Sequence, residues 1–251
     1  MAELWRPFTF EFFRNGLIVA TVAGALCGLI GVFVVLKGMS YIGHGLSHAI
    51  FGGFAASSLL GVNVLLGAGV WGVASALMIN GVTRRRVIGA DAAIGVITTA
   101  SFALGLTLFA AFGRRGRNFD AALFGSILGV GWSDVAAVLT VAAGVGLVVF
   151  FGYRRLLFTT FDPDVAEASG VNTARVDAVL MLALAASILV TMQVLGVTLI
   201  AATLVIPPTI ARMLTSSFSR MLWSSTVIGA VTGFVGMVAS YHLDIQSGPA
   251  I

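Results

Sequence analysis

The chain alternates long apolar stretches with short polar breaks, and most of the apolar stretches are long enough to form membrane-spanning helices. Residues 16–36 contain no charged side chain, and about 20 apolar residues are enough for a helix to cross a bilayer. Residues 45–82 also lack Asp, Glu, Lys and Arg. They predict either two spans with a break near residues 61–63 or one long span with a re-entrant segment. Residues 91–112 predict a further span.

The second half of the chain continues this pattern. Residues 119–132 are short and rich in glycine, which predicts a short helix or a re-entrant segment and not a full span. The remaining predicted spans are residues 135–151, 176–195, 195–213 and 223–241. We therefore predict an all-α polytopic membrane helical bundle of about seven or eight transmembrane helices, folded as a single domain over residues 1–251.

The composition excludes a soluble domain. Hydrophobic residues make up 59% of the chain and charged residues 10%, and the mean hydropathy is +1.05. The formal net charge of +4 comes mainly from arginine clusters at residues 84–86, 114–117 and 154–155. These clusters flank apolar spans and are interpreted as loop and membrane-edge charges. Those at 84–86 and 154–155 mark cytoplasmic ends under the positive-inside rule, so either the cluster at 114–117 is external or residues 91–112 do not simply cross. The clusters predict contact with membrane lipid and no binding of nucleic acid.

Two of the three histidines, His44 and His48, lie four residues apart in a largely apolar stretch. If this stretch is helical, both imidazoles project from one face, one turn apart. That spacing suits a shared metal ion, because neutral imidazole is a ligand for zinc, iron and copper. The alternative is that two polar residues pack inside a bundle and bind nothing. We favour the metal site, because ionisable groups at membrane depth are costly and usually mark a functional pathway.

A polar segment at residues 159–172 predicts a two-turn helix at the membrane surface. Asp162 suits the N-cap position and Pro163 the first helical position, while Asp164 favours the first turn. Gly170 can end the helix in a left-handed conformation. Such a segment is either an ordinary capped connector or a docking element. The sequence contains no nucleotide-binding motif, so a transporter driven by ATP would need such an element to engage a separate motor protein.

Near the C-terminal end, His242 and Asp244 follow the last predicted span. The Asp244 carboxylate is a candidate third ligand for an ion held by His44 and His48, and the alternative is an interfacial loop in water. His242 is a less favourable ligand, because it is two residues from Asp244 and does not share its helical face. Two imidazoles leave a divalent ion under-coordinated and its charge uncompensated, which favours an additional acid.

Five segments occur in an order that characterises one family. They are GVFVVLKGMSYIGHGLSHA at residues 31–49, FGSIL at 124–128, the Asp162-Pro163 loop, GVTLIAATLVIPPTIAR at 196–212 and SYHLDIQSGP at 240–249. Together they resemble the transmembrane permease of the manganese, zinc and iron ABC importers. The resemblance extends over nearly the whole chain.

The resemblance implies a homodimer of permeases in the cytoplasmic membrane of a bacterium or archaeon. Its expected partners are two cytoplasmic ATP-binding subunits and an extracytoplasmic metal-binding protein. The implied activity is import of a divalent cation as the transported substrate, with no permanently bound cofactor and no catalytic residue in the permease itself. By this resemblance, residues 162–170, including Ala166, are expected to correspond to the coupling helix that contacts the ATP-binding subunit.

Two departures from the family pattern carry expectations of their own. His44 stands where family members often have aspartate, whereas His48 and Asp244 match the pattern. Exchanging a carboxylate for imidazole shifts the metal preference from manganese toward zinc or iron. The chain also ends at Ile251, where family members continue into another apolar stretch, and this predicts a C-terminally shortened form.

Three other functions fit parts of the pattern. A self-contained secondary metal-ion carrier would share the histidine pair. A permease for a metal chelate would share the coupling helix but would need a wide polar cavity. An intramembrane zinc hydrolase would need a general base beside the metal. The sequence has no His-Glu-x-x-His motif and no glutamate within a predicted span, which argues against the hydrolase.

Overall fold

The computed structural model describes residues 6–85, 89–112, 125 and 129–251. Within these residues the chain forms 10 α-helices, one short 3-10 helix and no strand. The α-helices are α1 (Glu11–Leu36), α2 (Ile42–Leu60), α3 (Val64–Arg84), α4 (Ala90–Phe112), α5 (Trp132–Phe161), α6 (Pro163–Ala168), α7 (Thr173–Leu195), α8 (Ile200–Leu214), α9 (Phe218–Leu243) and α10 (Ser247–Ala250).

Most of the described helices have the length and composition of membrane spans. Six of them are long and apolar enough to cross a bilayer, namely α1, α3, α4, α5, α7 and α9. Helix α8 is a shorter apolar helix, and α2 has 19 residues that include glycines, serines and both histidines of the predicted site. The prediction of an all-α polytopic membrane bundle is confirmed.

The break between α2 and α3 falls where the sequence predicts it and has a local cause. Gly61 follows α2 in the left-handed conformation, with φ 67°, which glycine adopts without a steric penalty. The Asn63 side chain then accepts hydrogen bonds from the backbone N–H groups of Leu65 and Leu66, at 3.0 and 3.2 Å. Residues 45–82 therefore form two helices with a break at the predicted position, and of the two, α3 has the length and composition of a membrane span.

Helix α5 extends beyond the span predicted for residues 135–151. It runs from Trp132 to Phe161 and includes Arg154 and Arg155, which the sequence places at the end of the span. The helix continues because arginine is a good helix former and apolar residues resume after the pair. The short segment predicted for residues 119–132 lies mostly outside the described residues.

The apolar run at residues 176–213 forms two helices, α7 and α8, with a break near the predicted position. Helix α7 has the length of a membrane span, whereas α8, with 15 residues, is shorter than the span predicted for residues 195–213. Gly196 lies in the break between them with φ 76°, and the Pro207-Pro208 pair lies inside α8. The Ser247 hydroxyl donates a hydrogen bond to the Val194 carbonyl in the last turn of α7, at 2.8 Å. Helix ends leave such carbonyls without an intrahelical donor, so Ser247 stabilises the break.

The chain divides into two compact units. The first comprises Met1–Val32, Arg117–Ala143 and Val190–Ile251, and the second comprises Phe33–Gly116 and Gly144–Leu189. Both histidines of the predicted metal site and all of α6 belong to the second unit, whereas α8, α9 and Asp244 belong to the first.

In the first unit, α1 and α9 approach each other through small residues. A Cβ atom at Gly24 would meet the carbonyl oxygen of Gly229, and one at Gly229 would meet the carbonyl oxygen of Gly24. One turn along, the buried Ser225 hydroxyl donates to the Gly28 carbonyl at 2.6 Å. Small residues thus allow backbone-to-backbone contact, and the interhelical hydrogen bond adds direction to the packing.

In the second unit, α2 packs against both α3 and α4. A Cβ atom at Gly52 would meet the carbonyl oxygen of Ser101 in α4, and one at Gly53 would meet the Cβ atom of Trp71 in α3. Two adjacent glycines therefore let two different helices approach α2 closely. This packing fixes the orientation of the helix that carries the histidines.

Gly52→Ala is expected to lower the thermal unfolding midpoint of the detergent-solubilised protein, because the added methyl group meets the backbone of α4. Overpacking of this kind costs about 1–3 kcal/mol. Gly95→Ala in α4 is the matched control, since a Cβ atom there has no neighbour within 4 Å and alanine favours the helix. Equal unfolding midpoints for the two variants, measured by a fluorescence melt, would contradict this account of the packing.

Candidate functional site

Helix α2 places both histidines of the predicted metal site in its first two turns. The ring centroids of His44 and His48 are 4.4 Å apart, with an interplanar angle of 71°, and both side chains are half-buried. The four-residue spacing therefore brings the imidazoles together on one helical face, as predicted. Two imidazoles at this separation can supply two ligands to one ion.

The His48 ring packs against a second aromatic ring in addition to that of His44. Its centroid lies 4.6 Å from that of Phe102 in α4, at an edge-on angle of 77°. The Nδ1 atom of His48 is buried and receives no hydrogen bond from the described residues. A buried polar atom without a partner is destabilising, so a ligand or ion that engaged this ring nitrogen would remove that cost.

Gly45 brings α4 close to the histidine pair. A Cβ atom at Gly45 would lie 2.6 Å from Ile94 Cγ2 and 2.8 Å from Thr98 Cγ2, so only glycine permits this approach. The Thr98 hydroxyl donates to the Ile94 carbonyl of its own helix, at 2.7 Å. Helix α4 thus presents a close and largely apolar wall beside the two imidazoles.

Asp244 directly follows α9 and adopts the left-handed conformation, with φ 53°. It is the one non-glycine residue with positive φ in the described part of the chain, and its side chain is exposed. The Ser240 hydroxyl donates to the Ile245 carbonyl at 2.7 Å, which holds the turn that follows. His242 lies in the last turn of α9 and is also exposed.

The described residues contain no group of three or more His, Cys, Asp or Glu side chains placed to hold a metal ion. Within the second unit, the structure brings together His44 and His48, and Asp244 belongs to the first unit. The role of Asp244 as a third ligand therefore stays a prediction.

The helix predicted for residues 162–170 is present as α6. The Asp162 side chain accepts a hydrogen bond from the Val165 backbone N–H at 3.0 Å, and Pro163 occupies the first turn together with Asp164. Gly170 ends the segment with φ 85°. The predicted helix is therefore confirmed, while its contact with an ATP-binding subunit stays a prediction.

A cavity of about 500 Å³ that is lined by several charged side chains lies beside α6, in the second unit. It is lined in part by Pro163, Asp164, Glu167, Lys37, Arg84 and Asp177. Asp177 accepts from Lys37 and Arg84, at 2.9 and 3.1 Å. These ion pairs are not among the sequence predictions. One sequence feature could have indicated them. Asp177 lies at the start of a predicted span, and a carboxylate near membrane depth usually pairs with an oppositely charged side chain.

Residues 9–251 match the ABC 3 transport family. The chain is 35% identical over 242 residues to the manganese transport system membrane protein MntC of Listeria monocytogenes, which covers 96% of this chain and 86% of that protein. It is 32% identical over 248 residues to the probable iron transport system membrane protein of Haemophilus influenzae, which covers 99% of this chain and 91% of that protein.

The fold is also similar to a solved structure, PsaBC from Streptococcus pneumoniae in complex with Fab. The TM-score is 0.88 at 32% sequence identity, and the match covers 99% of this chain and 90% of that chain. These matches confirm the resemblance to metal ABC permeases that the sequence motifs indicate. With six apolar helices of spanning length in the described residues, the protein is integral to the cytoplasmic membrane and crosses it several times. The chain belongs to the ABC 3 transport family.

Proposed function

We propose that this protein is the permease subunit of an ATP-driven importer that carries a divalent transition-metal ion into the cytoplasm. The observation that carries the proposal is the imidazole pair, with rings 4.4 Å apart and a His48 nitrogen that no described residue hydrogen-bonds. Two ionisable groups in such an apolar helix are costly unless they serve a polar cargo. Two of the relatives above are named for manganese and iron transport, which supports this class of cargo.

Asp244 supplies the third ligand in this proposal. Its φ of 53° lies in the left-handed region, which aspartate and asparagine adopt more readily than other L-amino acids. Its negative charge would offset part of the charge of a divalent ion. Three ligands leave the ion incompletely coordinated, so that it can leave again. A closed structural zinc site, at about 10 kcal/mol or more, would release it too slowly.

The ligand types bear on which metal is carried. Imidazole is a softer ligand than carboxylate and binds the later metals of the divalent series more strongly than manganese. His44 and His48 together therefore favour zinc or iron over manganese. The ion is cargo and not a resident cofactor, and the permease itself makes and breaks no covalent bond.

Helix α6 is the docking element for a cytoplasmic ATP-binding subunit in this proposal. Phe161, the last residue of α5, and Val165 in α6 are 61% and 49% exposed, while Ala166 in α6 is fully buried. An exposed apolar pair beside a buried anchor suits a surface that a partner protein covers. Arg154 and Arg155 near the end of α5 support a cytoplasmic location for this end of the chain.

The further partners of the proposed assembly are a second copy of the permease, a second ATP-binding subunit and an extracytoplasmic protein that delivers the metal. Membership of the ABC 3 transport family supports this set of partners. An ATP-driven importer needs both a source of energy and a source of cargo.

Reconstitution of the permease into proteoliposomes tests the proposal. With the ATP-binding subunits and the metal-loaded binding protein, ATP is expected to drive accumulation of radioactive Zn²⁺, Fe²⁺ or Mn²⁺, and omission of the ATP-binding subunits is expected to abolish it. Competition among the three ions would identify the preferred cargo.

Two results would contradict the proposal. Uptake by the permease alone under an ion gradient would indicate a secondary carrier. ATP-driven uptake of a metal only when it is supplied as a chelate would indicate a chelate permease.

A further inference from the structure

Five side chains of the second unit form a connected polar group between α6 and the elements next to the histidine helix. We call it the Asp177 cluster, and it consists of Lys37, Arg84, Glu167, Thr173 and Asp177. None of these residues belongs to the proposed metal site or to the exposed apolar pair, Phe161 and Val165.

Asp177 is the centre of the cluster. One carboxylate oxygen, Oδ1, accepts from Lys37 Nζ at 2.9 Å, and the other, Oδ2, accepts from Arg84 Nη1 at 3.1 Å. The side chains of Lys37 and Asp177 are only 13% and 20% exposed. Partly buried ion pairs are screened less than surface pairs, and loss of one partner would leave a poorly solvated charge. Asp177 therefore fixes two cations at one point.

The Lys37 branch reaches the N-terminal side of α6. Lys37 Nζ also donates to the Thr159 carbonyl, at 3.3 Å. Thr159 lies in the last turn of α5, just before Asp162, which caps α6. Lys37 thus holds the chain that leads into α6.

The Arg84 branch reaches the C-terminal half of α6. Arg84 Nη2 donates to Thr173 Oγ1 at 3.2 Å, and the Thr173 hydroxyl donates to Glu167 Oε2 at 3.4 Å. Glu167 belongs to α6, and Thr173 is the first residue of α7. The last turn of α5, which leads into α6, and the C-terminal half of α6 are therefore attached to two cations that share one carboxylate.

The same two cations belong to elements that border the histidine helix. Lys37 lies in the short link between α1 and α2. Arg84 is the last residue of α3, which packs on α2 where Trp71 faces Gly53. The cluster thus connects α6 with the chain that enters α2 and with a helix that lies against α2.

We infer that Asp177 is a positioning residue that transmits movement of α6 to the histidine helix. The inference rests on the proposed function, in which α6 contacts the ATP-binding subunit and α2 carries ligands for the ion. While the cluster is intact, a displacement of either end of α6 also displaces the link before α2 or the end of α3. When the cluster is broken, α6 moves alone, and ATP is hydrolysed without a matching movement of the ion.

The number of ATP molecules hydrolysed per metal ion transported tests this inference in the reconstituted complex. Asp177→Asn keeps the shape of the side chain and removes its charge. We expect the ratio to rise about fivefold or more, which corresponds to the lower end of typical coupling free energies. Thr173→Val removes a hydroxyl at nearly constant volume. It leaves the cap of α7 in place, because that cap is the Asn172 side chain. Loss of this hydrogen-bonded link is expected to raise the ratio about twofold or more.

Two control variants separate coupling from simple loss of structure. Thr173→Ser retains the hydroxyl, and Arg175→Ala removes an exposed charge from the same helix, so both are expected to keep the wild-type ratio. If Thr173→Val hydrolysed the same number of ATP molecules per transported metal ion as the wild type, the inference would be overturned. This holds even if uptake and hydrolysis both fell, provided that they fell in proportion. This variant decides the question if Asp177→Asn fails to insert. Failure of the proposed function is distinct, because the wild-type complex would then show no ATP-driven metal uptake at all.

Discussion

His48→Ala is expected to reduce metal uptake to background, at least about 100-fold below the wild type, while folded protein remains in the membrane. The substitution removes one of the two proposed metal ligands of α2, and even changes to residues that only orient a metal ligand cost about 10–100-fold in affinity. Uptake of radioactive metal into cells that lack other metal importers measures the effect. The amount of permease in the membrane is quantified in the same cells.

His48→Phe separates loss of the ligand from loss of packing. The His48 ring packs edge-on against Phe102 at 4.6 Å and against His44 at 4.4 Å, so phenylalanine retains an aromatic ring and loses the ring nitrogens. We expect background uptake in His48→Phe. Phe102→Leu changes the packing and retains both imidazoles, and it is expected to keep most of the uptake. Normal uptake by His48→Phe would remove the site on which the proposed function depends.

The same uptake assay tests the proposal that Asp244 is a third metal ligand. Asp244→Asn is the sharpest change, because asparagine tolerates the left-handed conformation of this position and lacks the negative charge. We expect its uptake to fall to background as well. His242→Ala is the matched control two residues away, and a mild effect is expected because His242 does not share a helical face with Asp244. Equal effects of the two changes would argue against a specific role for the carboxylate.

Most of the fold follows from local sequence features. The break at Gly61 and Asn63 is predictable, because glycine accepts a left-handed conformation and an asparagine side chain can cap a helix. The α6 helix is predictable for the same kind of reason, since Asp162, Pro163 and Gly170 each suit one position of a short helix. The end of α5 is not predictable in this way, because arginine marks a membrane edge and also favours a continuing helix.

The candidate site is predictable only where its parts are close in sequence. His44 and His48 share a face because they are four residues apart on one helix. The Asp177 cluster is absent from the sequence predictions, because Lys37 and Arg84 are 140 and 93 residues away from Asp177 along the chain. Helical periodicity relates residues within one helix and says nothing about pairs at such distances. The left-handed conformation of Asp244 is a backbone property that the residue type alone does not specify.

Ala166→Pro is expected to lower metal-stimulated ATP hydrolysis of the reconstituted complex about tenfold or more, while the permease still inserts into the membrane. The Ala166 N–H donates to the Asp162 carbonyl at 3.0 Å, and proline would remove this donor and place its ring against the same carbonyl. Helix α6 has only 6 residues, so it has no further turns that could preserve the proposed docking surface. The cost of proline in a helix interior, about 3 kcal/mol, is enough to unfold so short an element.

Ala166→Gly tests whether the helix itself is what the partner requires. Glycine retains the backbone donor and fits the fully buried position of Ala166, and it destabilises a helix by only about 0.5–1 kcal/mol. We therefore expect Ala166→Gly to retain most of the stimulated hydrolysis that Ala166→Pro loses. If the proline variant hydrolysed ATP at the wild-type stimulated rate, α6 would not be the element that couples the permease to its ATP-binding subunit. If the glycine variant lost as much as the proline variant, side-chain packing at Ala166 would matter more than the helical conformation.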